Sequence, residues 1–292
     1  MAEDDNPGLI YEAEDGPDPL NVSHIPLVLI HDGGGTCFSY YCLDPIGRPI
    51  YEIHNPRYYT QQPWEGGIPE IARYYVSLIH KTVPCGRIIL GGWSFGGILS
   101  LEMARVLADD PLYDVIGIVM VDSICPGSVK ADNWKRGVIY EGQFSERTSQ
   151  ETIDRVTWCF SDAVRVIEEY QMPSWDNDDQ GEPGSGLRNS ALNGDGKRSS
   201  NKESTKATIC PPAILLRATD WVPVDSDVPS RVDLVRHDRS LGWNGYRKGF
   251  FEEIVDMPGH HFSIFAFENT EKITESLQEA CSKLERLSNA NN

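Results

Sequence analysis

The sequence predicts an α/β fold in which a mainly parallel sheet is covered by helices on both faces. Short apolar runs alternate with longer segments whose apolar residues recur at helical spacing, a pattern typical of strands joined by helical crossovers. In the stretch Arg87–Gly97, one apolar run passes into a helical segment through a single tight Gly-Trp-Ser-Phe-Gly turn. The length of 292 residues suits one large α/β domain or two small ones.

The predicted strands and helices follow an acidic N-terminal segment. Residues 1–24 are acidic and carry Gly and Pro, so we expect a flexible acidic arm. Buried strands are predicted at Ile25–Ile30, Pro49–His54, the run after Arg87, Val115–Val121, Pro212–Ala218 and Phe250–Val255. Helices are predicted at Gly67–Thr82, directly after the central turn, and at Glu268–Leu287. Residues 25–125 and 209–288 therefore form one predicted core domain.

Two segments interrupt this alternation. Residues 126–174 include a predicted amphipathic helix, Gln150–Gln171, which we interpret as a helical lid with its apolar stripe facing the site. The stripe consists of Ile153, Val156, Phe160, Val164, Ile167 and Tyr170. Residues 175–208 are rich in Asp, Asn, Gly, Ser and Lys, and this composition predicts a disordered insert.

Composition excludes several classes of partner. The formal net charge of −18 argues against nucleic acids and anionic membrane surfaces, because the field of the protein would repel both. No run is apolar enough to span a membrane and the N-terminus lacks signal-peptide features, so a cytoplasmic protein is expected. The seven cysteines form no C-x-x-C pair and are interpreted as reduced thiols. No metal-ligand spacing and no phosphate-binding motif is present, so neither a metal nor a cofactor is predicted.

The Gly92–Gly96 turn is the strongest functional signal. It matches G-x-S-x-G and lies between a predicted strand and a predicted helix, which is the context of a nucleophile elbow. Ser94 would then be the nucleophile, held on a strained turn with its hydroxyl exposed. The amide of Phe95, at the start of the helix, would point at an oxyanion.

Two later segments supply candidate partners for that serine. Asp122 closes the next predicted strand, and functional groups gather beyond the carboxyl ends of parallel strands. A turn with two adjacent histidines, His260 and His261, follows the last strand. A serine hydroxyl needs an imidazole as base, and the imidazole needs a carboxylate to fix its tautomer, so the Ser-Asp-His order predicts a catalytic triad.

A Gly-rich loop, His31-Asp32-Gly33-Gly34-Gly35, follows the first predicted strand. It lacks the Walker and dinucleotide-binding patterns, which argues against a phosphate site. A plain turn stays an alternative. The elbow downstream favours a third use, a second oxyanion amide from Gly33 or Gly34, because glycine lets a backbone N–H approach the substrate closely.

These motifs resemble the thioesterase domains of nonribosomal peptide and polyketide synthases, including their free-standing relatives, within the α/β-hydrolase superfamily. Gly-Gly-Trp-Ser-Phe-Gly-Gly resembles the elbow of that family, and Asp122 ends the strand after the elbow helix as its acid does. The sequence Gly259-His260-His261-Phe262 is similar to the closing Gly-Asp/Asn-His-Phe motif, which makes His261 the base. Leu241–Trp243 is similar to a Gly-Trp segment of the family. The departures are the His-Asp-Gly-Gly-Gly loop and the insert at 175–208.

The resemblance implies an α/β-hydrolase fold and a substrate that is an acyl-thioester on a carrier protein or on coenzyme A. Ser94 would carry the acyl group as an ester, which water or an internal nucleophile of the substrate would release. Hydrolysis and cyclisation both stay open, as do the acyl chain, the carrier partner and the oligomeric state. The alternatives are a carboxylesterase or lipase acting on a small ester, an acyltransferase or cyclase with the same triad, and a non-catalytic binding protein.

Overall fold

The computed structural model describes residues 5–15, 22–129, 136–139, 144–175 and 209–290. The strands are β1 (Gly8–Tyr11), β2 (Leu27–Ile30), β3 (Ile50–Ile53), β4 (Gly86–Trp93), β5 (Tyr113–Val121), β6 (Ala213–Ala218) and β7 (Phe251–Met257). The α-helices are α1 (Gly67–Thr82), α2 (Phe95–Leu107), α3 (Gln150–Glu168), α4 (Trp243–Tyr246) and α5 (Thr270–Ala290). Short 3₁₀ turns lie at Ala13–Asp15, Phe38–Cys42, Arg231–Asp233 and Phe267–Asn269.

The seven strands form one sheet in the order β1-β3-β2-β4-β5-β6-β7. Every neighbouring pair is parallel except β1 and β3. The carboxyl ends of the parallel strands therefore meet at a single edge of the sheet. The loops that follow β2, β4, β5, β6 and β7 all start from that edge, which is where ligands bind in open α/β sheets.

Helices cover both faces of the sheet. Side chains of α1 and α2 belong to one buried cluster together with Val28, Leu90 and Met120. Side chains of α5 belong to a second cluster on the opposite face. There α5 lies so close to β5 that a Cβ at Gly117 would come within 2.6 Å of a Leu284 methyl carbon. The predicted α/β class, with a mainly parallel sheet between two helical layers, is confirmed.

The N-terminal segment departs from the expected arm. Of residues 1–24, Gly8–Tyr11 form β1, an edge strand antiparallel to β3. The Tyr11 hydroxyl donates a 2.6 Å hydrogen bond to the carbonyl of Leu43, which ties the strand to the body. The prediction missed β1 because its short apolar run lies among acidic residues whose composition dominates the segment.

The helix inserted between β5 and β6 buries side chains that lie beside the predicted apolar stripe rather than within it. Its buried side chains are Cys159, Asp162, Ala163 and Val166, whereas the predicted stripe is half-buried or exposed. The reason is the glycine loop beneath it: a Cβ at Gly35 would lie 2.7 Å from the Cys159 sulfur, so the helix sits directly on backbone. The stripe instead borders the cleft of the site described below, where Ile167 and Tyr170 line a cavity.

Two side chains fasten α3 to the segment before α1. The Trp64 amide donates to the Asp162 carboxylate at 3.4 Å, and Arg165 donates to the Trp64 carbonyl at 2.9 Å. Trp175, the first residue of the expected disordered insert, is instead buried and donates from Nε1 to the Tyr246 hydroxyl at 2.8 Å. Residues 176–208 of that insert lie outside the described residues. Within the described ranges, no helix combines the length and hydrophobicity needed to cross a membrane.

Candidate active site

Ser94 lies at the turn between β4 and α2 with φ 55° and ψ −113°. A positive φ is rare for a residue with a side chain and marks backbone strain. The strained turn is held by its own hydrogen bond, because the Ser94 amide donates to the Val121 carbonyl of β5 at 2.8 Å. The serine is half-buried and its side chain borders a cavity, as an elbow requires.

Gly92 and Gly96 are glycines because backbone occupies the space of a side chain. A Cβ at Gly92 would lie 2.7 Å from the Ile30 carbonyl oxygen, and one at Gly96 would lie 2.2 Å from the same atom. These contacts press the end of β2 against the elbow. The loop after β2 is thereby fixed next to Ser94.

Asp122 and His261 are in direct contact at the same edge of the sheet. Asp122 follows β5 with φ 45°, so it too occupies a strained turn. Its Oδ2 lies 2.8 Å from Nδ1 of His261, and both side chains are buried. Burial alone would raise the pKa of Asp122, but hydrogen bonds from His261 and Arg236 outweigh burial and hold that pKa at about 2.

The charge of Asp122 decides the tautomer of His261. An ionised carboxylate only accepts hydrogen bonds, so Nδ1 of His261 carries a proton, and in the neutral ring Nε2 keeps a lone pair. The His261 ring packs against the residue before the serine, with 5.6 Å between the ring centroids of Trp93 and His261. Among the described residues, no hydrogen bond joins His261 to the Ser94 hydroxyl. Such contacts are often long without substrate and tighten when it binds.

The neighbouring imidazole points elsewhere. Nδ1 of His260 accepts from the Phe262 amide at 3.2 Å, and the His260 amide donates to the Ser263 hydroxyl at 2.9 Å. Burial lowers the pKa of His260. Of the two adjacent histidines, His261 is the one that reaches Asp122.

The three amides proposed for an oxyanion hole are not equivalent. The Phe95 amide lies at the first position of α2, where no intrahelical partner exists. The Gly34 amide donates to Oδ1 of Asp32 at 2.9 Å. The Gly33 amide makes no hydrogen bond within the part of the chain that the structure describes, but Gly33 is buried beneath Phe160 and does not line the cavity at Ser94.

The glycine loop contains a carboxyl group, that of Asp32, whose pKa is raised. Burial raises its pKa to about 6, against the opposing effects of the Gly34 amide and the charge of His261. The residue is half-buried, and Phe160 of α3 covers the two glycines that follow it. A carboxyl group with a raised pKa therefore lies beside the candidate oxyanion donors.

A cavity of about 460 Å³ opens at Ser94. Its walls come from the start of α2, the segment after β5 and the end of α3. The lining residues are Ser94, Phe95, Ile98, Ile124, Cys125, Pro126, Gly127, Ser128, Val129, Ile167, Glu168, Tyr170 and Val232. The hydroxyls of Ser128 and Tyr170 are engaged with the Cys125 carbonyl and Glu102 respectively, and apart from Ser94 and Glu168 the remaining lining side chains are apolar. A mostly apolar cavity of this volume suits a small-molecule ligand.

Sequence reasoning missed one partner of Asp122. Arg236 is buried and donates to both carboxylate oxygens, at 2.5 and 2.8 Å. No local signal marks this arginine, because it lies in an irregular segment between β6 and α4 with no motif around it. The predicted Gly-Trp segment is also close by: the Trp243 indole donates to the Ser123 carbonyl at 2.8 Å and so braces the turn at Asp122.

Within the described residues, no group of three His, Cys, Asp or Glu side chains could hold a metal ion.

Comparisons with known proteins show which family the chain resembles. A sequence model of the family described as "Thioesterase domain" matches residues 25–281. The chain is 35% identical over 271 residues to the probable thioesterase gloN of Glarea lozoyensis, covering 89% of this chain and 90% of that protein. It is 32% identical to the thioesterase frbD of a Dothideomycetidae species, covering 89% and 90%.

Longer proteins and solved structures match as well. The nonribosomal peptide synthetase imqB of Aspergillus flavus is 31% identical over 90% of this chain, which corresponds to 8% of that synthetase. Among solved structures, the NocB thioesterase domain from the nocardicin cluster gives a TM-score of 0.57 at 22% identity, covering 89% of this chain and 95% of that one. YbtT, a type II thioesterase of the yersiniabactin pathway, gives 0.52 at 16% identity, covering 94% and 97%. At these identities the two structures support the fold alone.

Replacing Gly96 with alanine tests the close approach of β2 to the elbow. The new methyl group would meet the Ile30 carbonyl, so Gly96→Ala is expected to lower the free energy of unfolding by roughly 3 kcal/mol. Gly245→Ala in α4 is the matched control, because its Cβ meets nothing within 4 Å. Urea unfolding of both variants provides the measurement. Equal stability of Gly96→Ala and the wild type would contradict the described contact.

Asp32→Asn tests the raised pKa in the glycine loop. A carboxyl whose pKa is higher in the folded than in the unfolded chain costs stability as pH rises from about 4 through 6. Asp32→Asn removes that cost, so the variant is expected to be more stable than wild type at pH 7.5 by about 1 kcal/mol, an amount reduced by solvent screening. The difference should vanish toward pH 4. A difference that does not vary with pH would contradict the raised pKa of Asp32, and Asp227→Asn, at an exposed carboxyl group, provides the control substitution.

Proposed function

The chain belongs to the thioesterase domain family, and we propose that it cleaves acyl-thioesters through an acyl ester on Ser94, with His261 as base and Asp122 as the acid that orients it. The contact that carries the proposal is the buried hydrogen bond between Asp122 and His261 beside the strained turn at Ser94. As a member of the family, the protein is a hydrolase of the α/β-hydrolase type, related to thioesterases of nonribosomal peptide and polyketide secondary metabolism.

The first half of the proposed reaction transfers the acyl group to the enzyme. Nε2 of His261 takes the proton of the Ser94 hydroxyl as the serine oxygen attacks the thioester carbonyl carbon. The amides of Phe95 and Gly33 donate to the resulting oxyanion. When the carbonyl re-forms, the C–S bond breaks and the leaving sulfur takes the proton from His261. The thiol departs and an acyl-Ser94 ester remains.

The second half releases the acyl group. Water, or a hydroxyl or amine within the acyl chain, gives its proton to His261 and attacks the ester carbonyl. The oxyanion forms at the same amides. Collapse breaks the bond to the serine oxygen, which recovers its proton from His261. When water attacks, the product is the free acid. When a hydroxyl or amine of the acyl chain attacks, the product is a ring.

The substrate we propose is an acyl chain on the phosphopantetheine arm of a carrier protein, or on coenzyme A. Support comes from the thioesterases and the synthetase among the relatives. The cavity at Ser94 supports an acyl chain that is largely apolar near its carbonyl, because most of its lining side chains are apolar and the hydroxyls of Ser128 and Tyr170 are engaged with protein atoms. Comparing turnover of acyl-thioesters with that of short p-nitrophenyl esters distinguishes this proposal from a carboxylesterase.

Ser94→Ala is expected to fold and to lose turnover by roughly 10⁴-fold or more, because the covalent route is removed. Intact-protein mass spectrometry after mixing with acyl-CoA should show one added acyl group on the wild type and none on Ser94→Ala. The buried Ser100, whose hydroxyl bonds to the Gly96 carbonyl, provides the control variant Ser100→Ala, which should still be acylated. Near-normal turnover of a folded Ser94→Ala protein would rule out the proposed nucleophile.

The adjacent histidines should differ sharply. His261→Ala is expected to abolish acylation of Ser94, whereas His260→Ala should change its rate within roughly tenfold, because His261 is the imidazole bonded to Asp122. Single-turnover acylation followed by mass gives the two rates. The opposite ranking would assign the base to His260, and equal severe losses would mean that His260 also contacts substrate or positions His261.

A further inference from the structure

A buried arginine, Arg236, pairs with Asp122, and nothing in the sequence around this arginine explains its burial. The guanidinium of Arg236 meets Asp122 as a two-pronged pair, Nη1 to Oδ1 at 2.5 Å and Nη2 to Oδ2 at 2.8 Å. Its Nε donates to Oδ1 of Asp233 at 2.9 Å. The side chains of all three residues are fully buried.

Every N–H of Arg236 is used. Besides the carboxylates, Nη1 donates to the Ala218 carbonyl at 3.0 Å and Nη2 to the Val232 carbonyl at 3.3 Å, which accounts for all five donors of a guanidinium. Asp233 is also completed, since its Oδ2 accepts from the Val222 amide at 2.7 Å. A saturated network of this kind fixes the guanidinium in one orientation.

The charges in this network do not cancel in pairs. Asp122 and Arg236 alone would be neutral together, and a neutral pair stabilises a neighbouring imidazolium less than a lone carboxylate does. Asp233 adds a second negative charge on the far side of Arg236. The three groups together carry one net negative charge, the same as an unpaired triad aspartate, while the arginine holds that aspartate in place.

We propose that Arg236 and Asp233 are positioning residues for the thioesterase reaction: Arg236 fixes the carboxylate of Asp122 against His261, and Asp233 offsets the charge of Arg236 so that His261 retains a net negative charge behind it. This inference rests on the proposed roles of Ser94, His261 and Asp122. It assigns a mechanistic task to the segment between β6 and α4, which otherwise only borders the site.

Several other charged groups face the imidazole, so the test must separate Asp233 from them. Asp32 approaches His261 from the loop after β2, and His260 adjoins it in the chain. Asp220 and Asp233 both act on His260. The titratable and charged groups around His261 are thus Asp122, Asp32, His260, Asp220, Asp233 and Arg236.

The experiment measures kcat and KM for an acyl-CoA thioester across pH in the full chain, with Ser94 acylation followed by mass in the same samples. Asp233→Asn removes one negative charge, so the imidazolium loses stabilisation. The acid limb of kcat/KM is expected to move to lower pH by about half a unit or more, and the plateau of kcat to fall roughly three- to tenfold with KM little changed. Asp256→Asn is the matched control, because Asp256 also pairs with arginines but lies exposed, and its profile should match wild type.

Arg236→Lys keeps the positive charge but loses the guanidinium that donates to both oxygens of Asp122. Its acid limb should stay near that of wild type while kcat falls roughly tenfold or more, because a single ammonium cannot orient both oxygens of Asp122. This variant tests the orienting role of Arg236 even if Asp233→Asn fails to fold. A folded Arg236→Lys protein with wild-type kcat and only a lower unfolding temperature would mean that Arg236 is structural, and it would overturn the inference.

Two further outcomes distinguish failure of this inference from failure of the proposed function. An Asp233→Asn profile that superimposes on wild type, with acyl-Ser94 still formed, overturns the charge-offset role and leaves the proposed function intact. Failure of the wild type itself to form acyl-Ser94 overturns the proposed function, and the inference falls with it.

Discussion

The buried carboxylate of Asp122 joins parts of the chain that are far apart in sequence. It accepts hydrogen bonds from His261 in the loop after β7, from the Ala218 amide at the end of β6 and from Arg236 in the following segment. A buried charge is tolerated only when it is paired and hydrogen-bonded, so each of these contacts is also a condition for the carboxylate to stay ionised. The fold and the proposed proton transfer therefore depend on the same set of contacts.

A second constraint comes from backbone packed against backbone at the elbow. The Ile30 carbonyl fills the space where side chains at Gly92 and Gly96 would lie, and this contact sets the loop after β2 beside Ser94. The same loop carries Gly33, while Asp32 engages the amide of Gly34. Strain at Ser94 and at Asp122 is confined to the ends of two adjacent strands, β4 and β5, whose pairing holds both turns. The rigid centre of the sheet thus supports the two least favourable backbone conformations of the proposed site.

The parts of this arrangement that depend on local sequence could be predicted, and those that depend on distant packing could not. The helix at Gly67–Thr82 and the strands of the core follow from hydrophobic periodicity, and the elbow follows from the short spacing of Gly92, Ser94 and Gly96. The side chains by which α3 packs on the body could not be predicted, because they rest on a glycine loop more than 100 residues away in the chain. Arg236 was missed because a lone arginine in an irregular segment is indistinguishable from a solvated one until Asp122 is placed beside it.

The central claim, that an ionised Asp122 holds the proton of His261 on Nδ1 and leaves Nε2 open toward Ser94, is tested most directly by the ¹⁵N chemical shifts of the His261 ring. The protein labelled with ¹⁵N-histidine is observed near neutral pH in its resting state, and the His261 signals are identified by their loss in a His261→Gln variant. The account predicts a protonated Nδ1 and an unprotonated Nε2. A neutral ring with its proton on Nε2 would contradict it, because such a ring could neither donate to Asp122 nor accept the proton of Ser94.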